Sequence, residues 1–408
     1  MGTQALTHQM IAREAAKMLV EQNNVVTNIN TERSKEFGEE TNGYKKGDTV
    51  KIMVPPVPVT YSGSVFAASG ATSAPLSAPP ISESYVTLKL DQQYHVPLTF
   101  TAKEKKLDLT DFSKRFLRPA MTSLSSKVNA VLLASMYQQT PNIVGTLGTV
   151  SDARTPWRSA ASTLDRHLAP EEDRCAHFST DANDALAEAN VSLFHTSEEL
   201  RGEFSKNAVG KFAGITFYKQ LSLPTHTNGL GAGYVVSGAG QIGSSISMDG
   251  KAGKGDITKG SIITFDDVFE VHPITGATTG KLRQFLVTEG YIAGGSTLSI
   301  YPAITPTTSE GIGTVDKAPR DRAAMTFFGQ PLVPAVQNLV FHRDAFATAF
   351  APLPVLASCE GYTASIKNIS VRVMTFGDGK NDMEHTRVDV LFGTPAPVRP
   401  DHACRVTQ

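Results

Sequence analysis

At 408 residues the chain has room for two or three domains, each with its own core. Lys+Arg number 38 against 39 Asp+Glu, a net charge of -1, so the chain has no basic excess with which to grip nucleic acid. The three cysteines, Cys175, Cys359 and Cys404, are far apart and odd in number, which argues against a disulfide framework or zinc site and for synthesis in a reducing cytoplasm. No run of about 18 apolar residues and no signal-peptide pattern occurs, so neither a membrane span nor secretion is expected.

In residues 8–22, Ile11, Ala15, Met18 and Leu19 recur at three-to-four spacing among Arg13, Glu14, Lys17 and Glu21, predicting a one-sided helix. A single terminal helix of this length must dock to be stable, on its own domain or on another copy of the chain. After a polar run, Thr49-Val50-Lys51-Ile52-Met53-Val54 alternates strictly until Pro55-Pro56 stops it. Tyr85-Val86-Thr87-Leu88-Lys89-Leu90 alternates in the same way, and the uncharged stretch 62–81 between them is mostly Ser, Ala, Gly and Pro. The two runs predict an extended hairpin with a long tip. Two strands alone are barely stable in water, so such a hairpin needs a surface to lie on.

A short helix is expected to start in 107–116, and Pro119 suits the first turn of the helix after it. That helix runs to about residue 139, with Met121, Leu124, Val128, Val131, Leu132 and Met136 on one face. At its length of roughly 30 Å it reads as a single spine rather than as part of a bundle. Helices over 156–168 and 181–193, the second capped by Ser179 or Thr180, flank a strand at Ala176-His177-Phe178. This alternation predicts a small mixed domain across 150–225.

The composition then changes: residues 229–295 hold 15 of the 33 glycines, so turns come at short intervals. Strand-like runs recur at 245–248, 262–265, 269–272, 282–287 and 297–301, the pattern of a small barrel or sandwich. From about 328 the mixed pattern resumes, which makes the β block an insertion. Two strands, 365–376 and 385–392, close the chain around the turn Gly377-Asp378-Gly379-Lys380.

Several stretches resemble sites and are better read otherwise. Gly250-Lys251-Ala252-Gly253-Lys254-Gly255-Asp256 lacks the Lys-Ser/Thr pair of a phosphate loop and precedes a strand, so it is an exposed loop. His342-Arg343-Asp344 lies where a strand gives way to a helix, a place for His342 or Asp344 to cap N–H groups. Glu171-Glu172-Asp173 follows Pro170 as a helix first turn would. No set of acid, base, nucleophile or metal ligand converges, so no catalytic, cofactor-binding or metal site is assigned and an enzyme is not expected.

Six features stand in a specific order: Gly47-Asp48-Thr49-Val50 with Pro55; Leu107-Asp108-Leu109-Thr110-Asp111-Phe112 leading to Pro119-Ala120; Gly210-Lys211-Phe212-Ala213-Gly214-Ile215; Leu223-Pro224-Thr225-His226-Thr227-Asn228-Gly229; Lys259-Gly260 before Ile262; and Asn338-Leu339-Val340-Phe341-His342-Arg343-Asp344-Ala345-Phe346. With the C-terminal strand pair, they make the chain from about Gly47 to Val406 resemble the coat proteins of short-tailed double-stranded-DNA phages. The similarity is to the Salmonella-phage type that carries an inserted β-domain. The resemblance implies an α+β fold, the Hong Kong 97-like capsid fold, with spine helix, extended hairpin loop and inserted β-barrel. It implies an N-terminal arm (1–46), a hairpin loop (47–100), a spine and peripheral region (101–155) and a first axial part (156–226). An inserted barrel (227–325), an axial return (326–360) and a peripheral β-layer with the C-terminus (361–408) complete it. It further implies hexamers and pentamers of an icosahedral shell, a portal protein, decoration proteins in some members, and packaged DNA held non-specifically, with no cofactor and no membrane. No long charged helical region precedes the arm, so a separate scaffolding protein is expected. One competing reading is a secreted or surface β-rich adhesin or structural protein, against which the missing signal peptide counts. The other is an α/β enzyme with an inserted domain, against which the lack of a converging catalytic set counts.

Overall fold

The computed structural model describes residues 8–32, 34, 40–41, 44–45, 49–54, 84–101, 113–145, 154–191, 210–231, 233–249, 255–293, 295, 297–308, 312–378 and 383–407. Contacts divide the chain into two compact units, 1–52 with 85–135 and 346–398, and 53–84 with 136–345 and 399–408. The hairpin tip at 62–81 and the first part, 107–112, of the short helix expected in 107–116 lie outside the described residues.

The first unit is an antiparallel sheet with a helix against it. Its strand order is Glu360–Ile366, Ile369–Asp378, Met383–Gly393, Ser84–Thr101 and Thr49–Val54. Helix His8–Gln22 lays Ile11, Ala12, Ala15, Ala16, Met18 and Leu19, all buried, over the first two strands, so the terminal helix docks within its own unit. The predicted strand at 365–376 is in fact two strands joined by a tight turn. Lys367 and Asn368 take positive φ values of 48° and 64°, the backbone of a two-residue hairpin turn, with Ile366 facing Ile369. Lys-Asn is not the usual Asn-Gly signal for that turn, although the apolar alternation shifts by one residue across it, from Ala364 and Ile366 to Ile369, Val371 and Val373. Between the strands Asp389, wholly buried, is held by Arg372 at 2.7 Å, and Arg372 also donates to the Pro354 carbonyl at 2.7 Å. The spine helix is Arg118–Tyr137, continuing a π-helical turn at Ser113–Leu117. Met121, Leu124, Val128, Leu132 and Met136 are buried and Val131 is half-buried.

The second unit is built on a seven-stranded mixed sheet. Its order is Asn142–Gly145, Ala403–Thr407, Pro334–His342, Arg174–Phe178, Ile215–Lys219 and Lys211–Phe212, with Thr225–Thr227 paired to the start of Pro334–His342. Helices Thr155–Arg166 and Thr180–Val191 pack on it, burying Trp157, Leu164, Ala182 and Leu186 against Phe178, Ile215, Val340 and Val406. Trp157 meets Phe178 and Phe217 edge to face, at centroid distances of 5.6 and 5.1 Å. Ser179 caps the second helix, its Oγ accepting the Ala182 N–H at 3.1 Å. At the sheet edge Gly145 has φ 106°, and a Cβ there would sit 2.2 Å from the Thr407 carbonyl oxygen, so only glycine lets the strands run this close.

From this sheet the chain leaves at Asn228 and returns beside it at Pro331, the two joined by a β-bridge. Between them lies a barrel in the order Val235–Val236, Gly243–Asp249, Thr297–Ile304, Phe285–Val287, Ile262–Phe265 and Met325–Phe327. A bridge from Val235 to Ala324 and the bond from the Met325 N–H to the Tyr234 carbonyl close it. Inside are Tyr234, Ile246, Ile263, Phe265, Phe285, Val287, Leu298, Ile300 and Met325. The run 282–287, expected as one strand, splits: Thr278–Leu282 belongs to a two-stranded ribbon with Phe269–Val271, and Phe285–Val287 belongs to the barrel. Arg283 and Gln284 fall in the break, and both turn toward the host sheet.

Candidate functional site: the seam between barrel and host sheet

The residues singled out as site-like in the sequence are structural where they are described. The predicted helix after His342 is only a one-turn 3-10 segment, Arg343–Ala345, because the chain re-enters short strands at Phe346–Ala347 and Phe350–Ala351. His342 does cap that turn, its Nδ1 accepting the Asp344 N–H at 3.2 Å. Glu171-Glu172-Asp173 is not a helix first turn: it forms a tight turn into strand Arg174–Phe178, with Asp173 at φ 53°. Of the 250–256 stretch only Gly255 and Asp256 are described, and the Asp256 carboxylate accepts the Ala293 N–H at 2.7 Å. Cys175 and Cys404 are buried thiols, and burial pushes Cys404 up to about 12, so it stays an inert thiol. Among the described residues no three His, Cys, Asp or Glu side chains are grouped to hold a metal.

The chemistry collects instead where the barrel meets its host sheet. Glu270, on the ribbon, is buried beneath three basic groups. His167 Nε2 lies 2.9 Å from Oε1, Arg166 Nε 3.2 Å from Oε2 and Arg283 Nη1 3.4 Å from Oε1. Arg283 Nη2 reaches on to Asp401 Oδ1 at 2.7 Å, so one guanidinium bridges the ribbon to the segment before the final strand. Burial alone would raise the Glu270 carboxyl, but the His167 hydrogen bond and charge, with Arg283 and Arg166, outweigh it and carry it to about 2. Asp401 is likewise opposed by burial and held below the usual carboxylate range by Arg283. Beside this network the Gln284 amide acts as an extra strand, accepting the Ile143 N–H at 2.7 Å and donating to the Ile143 carbonyl at 2.8 Å.

On the other side of the seam, Arg405 in the final strand is wholly buried and donates to the Gly260 carbonyl at 2.8 Å, with the Tyr137 ring 5.8 Å away. His226 lies between Asn228 Oδ1 at 3.1 Å and Ser261 Oγ at 3.4 Å, and Asn228 donates to the Phe328 carbonyl at 2.8 Å. Sequence reasoning assigned none of these residues to a seam, although His226, Asn228 and Gly260 fall in stretches that carry the family resemblance. Their one signal is a lone charge inside an apolar strand run, as in Phe269-Glu270-Val271 and Cys404-Arg405-Val406. Among the described residues the seam's charged groups pair with one another, Glu270 with Arg166, His167 and Arg283, and Arg283 with Asp401. Its geometry can hold two folded bodies in a fixed relation, which is mechanical work.

A long helix, an extended strand pair and a barrel inserted into a mixed sheet define the shell-forming class of protein with the Hong Kong 97-like capsid fold. The profile of the P22 coat protein family (gene protein 5) matches residues 72–404, and the chain belongs to that family. It is therefore a phage major capsid protein that self-assembles into an icosahedral shell and resides in the virion, and it is not an enzyme. No curated protein sequence matches it. Among solved structures it is similar to a chain from Mycobacterium phage Che8, with 13% identity, coverage of 93% of this chain and 89% of that one, and a TM-score of 0.47. It is similar to the capsid of cyanophage P-SCSP1u at 14% identity, covering 89% and 84%, with a TM-score of 0.44. The CUS-3 coat protein I-domain matches at 24% identity over 24% of this chain and 97% of that one, with a TM-score of 0.19.

Proposed function

We propose that the shell is built from hexamers and pentamers joined through the 47–100 hairpin loop, around a separate scaffolding protein and with a portal protein. The observation that carries this reading is strand Ser84–Thr101. It is 18 residues long, yet none of residues 91–99 is buried within the subunit. Its backbone pairs with Met383–Gly393 within the subunit, but the side chains of 91–99 stay unburied there and find their cover on a neighbour. Contacts made head to tail in this way close into rings when the rotation between copies closes. In this reading 1–46 is an arm, 156–226 and 326–360 form the axial domain around an inserted barrel, and 361–408 lies at the periphery. The packaged double-stranded DNA is contacted non-specifically, which suits a net charge of -1. Synthesis takes place in the host cytoplasm.

The test shortens 62–81 to a few residues. The subunit should keep its thermal unfolding temperature, since loop length costs little, while particle yield by sedimentation falls sharply. Normal shells of normal heat stability would remove the hairpin from the assembly mechanism.

A further inference from the structure

Four buried polar atoms, on three side chains that line a small cavity under the barrel, have no protein partner among the described residues. They are Nε and Nη2 of Arg405, Oε1 of Gln337 and Oγ1 of Thr407. The three side chains are 0%, 2% and 1% exposed, so bulk solvent does not satisfy them. The cavity offers about 10 Å³ to the centre of a water-sized molecule, the room that one water requires. Its other walls include Ile143 on the sheet side and Ile262 and Phe328 on the barrel side, so it lies in the seam itself.

The four groups are two donors, the guanidinium N–H pair, and two acceptors, the amide and hydroxyl oxygens. We propose that this cavity is the binding site of a single ordered water that ties Arg405, Gln337 and Thr407 together at the barrel seam. A water accepts two hydrogen bonds and donates two, which matches the four groups one for one. A halide would suit the arginine but would face the Gln337 Oε1 lone pairs. Turning that amide over is opposed too, because Gln337 Nε2 already donates to the Ala335 carbonyl at 3.2 Å. The guanidinium charge is met by the Gly260 carbonyl and the Tyr137 ring, so the site calls for a neutral ligand. Burial lowers Arg405 to about 10, which leaves it protonated, with both N–H groups available, at neutral pH. The water would join the final strand, which holds Arg405, to the strand through which the chain returns from the barrel. All three side chains belong to the host sheet, where Gln337 lies opposite Thr407, so the water would complete the polar floor of that sheet beneath the barrel.

A map of the assembled shell fine enough to show ordered water tests this directly, with a second map from shells grown in bromide in place of chloride. The expected result is one light-atom peak within hydrogen-bond distance of all four groups, with no bromide signal. An empty cavity, or a bromide peak, overturns the proposal. A second arm needs no map. Gln337→Met keeps the volume of the side chain but removes the acceptor, and should lower the melting temperature of the full chain by about 2–4 °C. Thr407→Val should do the same, and the double variant should lose less than the sum because both act on one water. Additive losses would mean that the two side chains share no ligand.

Discussion

The inserted barrel and the sheet that hosts it solve the problem of burial in opposite ways. The barrel interior is lined by apolar and tyrosyl side chains, with Phe265, Phe285, Ile300 and Met325 among them, and its backbone closes on itself. Its own buried charges, Glu270 and Arg283, lie outside that core at the seam. The host sheet buries Arg174, His177, Asn338 and Arg405 alongside its apolar residues. Some of those polar groups are met locally: Arg174 reaches the Ala169 and Pro170 carbonyls at 2.6 and 2.7 Å. Others are met by the barrel, as Arg405 is by Gly260. A closed apolar core carries its own stability, whereas a sheet with buried charges depends on whatever supplies their partners. The barrel should therefore tolerate separation and the sheet should not.

The largest effect should come from cutting the two apart. Residues 228–331 expressed alone should give a folded β-rich monomer by circular dichroism, since their ends already lie side by side at the Asn228–Pro331 bridge. A fragment stopped at residue 324 lacks strand Met325–Phe327, which pairs with Ile262–Phe265, and should be unfolded. A random-coil spectrum from the longer fragment would overturn the comparison. The host chain with 229–330 replaced by a short linker should be insoluble, because Arg405 and Asp401 lose their barrel partners.

Next in size is the seam. Glu270→Gln removes the carboxylate that faces Arg166 and Arg283, and breaking a buried pair from one side costs about 3–5 kcal/mol. The pH dependence identifies the cause. The folded carboxyl lies at about 2 against an ordinary 4.5, so its stabilisation is complete above 4.5 and is lost as pH falls from there through 2. Melting curves of the two proteins should therefore differ most at neutral pH and converge in acid. A gap that stays constant down to pH 2 would mean that the substitution acts through packing rather than through charge.

The reach of the sequence follows the same division. Periodicity located helix His8–Gln22, the spine helix and the alternation of strands and glycine turns in the barrel, because each of these is set by local spacing of apolar residues. It ran 365–376 and 282–287 together, since neither the Lys367-Asn368 turn nor the Arg283-Gln284 break carries a glycine or proline to mark it. The seam was illegible for another reason. Glu270, Arg166, Arg283 and Asp401 are brought together from three separate segments, and nothing in the neighbours of any one of them names the others. His342 was legible as a cap because the cap is local, while the 3-10 turn it serves was mistaken for a helix.

Acid separates the two regions by the buried histidines that only one of them holds. His177, His226 and His402 all belong to the host, and burial is the leading cause that lowers them, to about 3, 4 and 4. Arg405 adds to the effect at His226 by its charge. An unfolded chain protonates these rings near 6.5, whereas the folded host resists until the pH is well below that. Their contribution is thus complete above 6.5 and declines as pH falls toward 4, at up to about 1.4 kcal/mol per pH unit for each ring. The 228–331 fragment contains none of the three. Its melting temperature should be level between pH 7 and pH 5, while that of the intact subunit falls over the same interval. Replacing His177, which stacks between Tyr218 and Phe341 at 5.5 and 5.6 Å, by Phe should remove part of the intact subunit's decline. Equal slopes for fragment and full chain would place the acid sensitivity in the barrel, and the host sheet would no longer be the dependent partner.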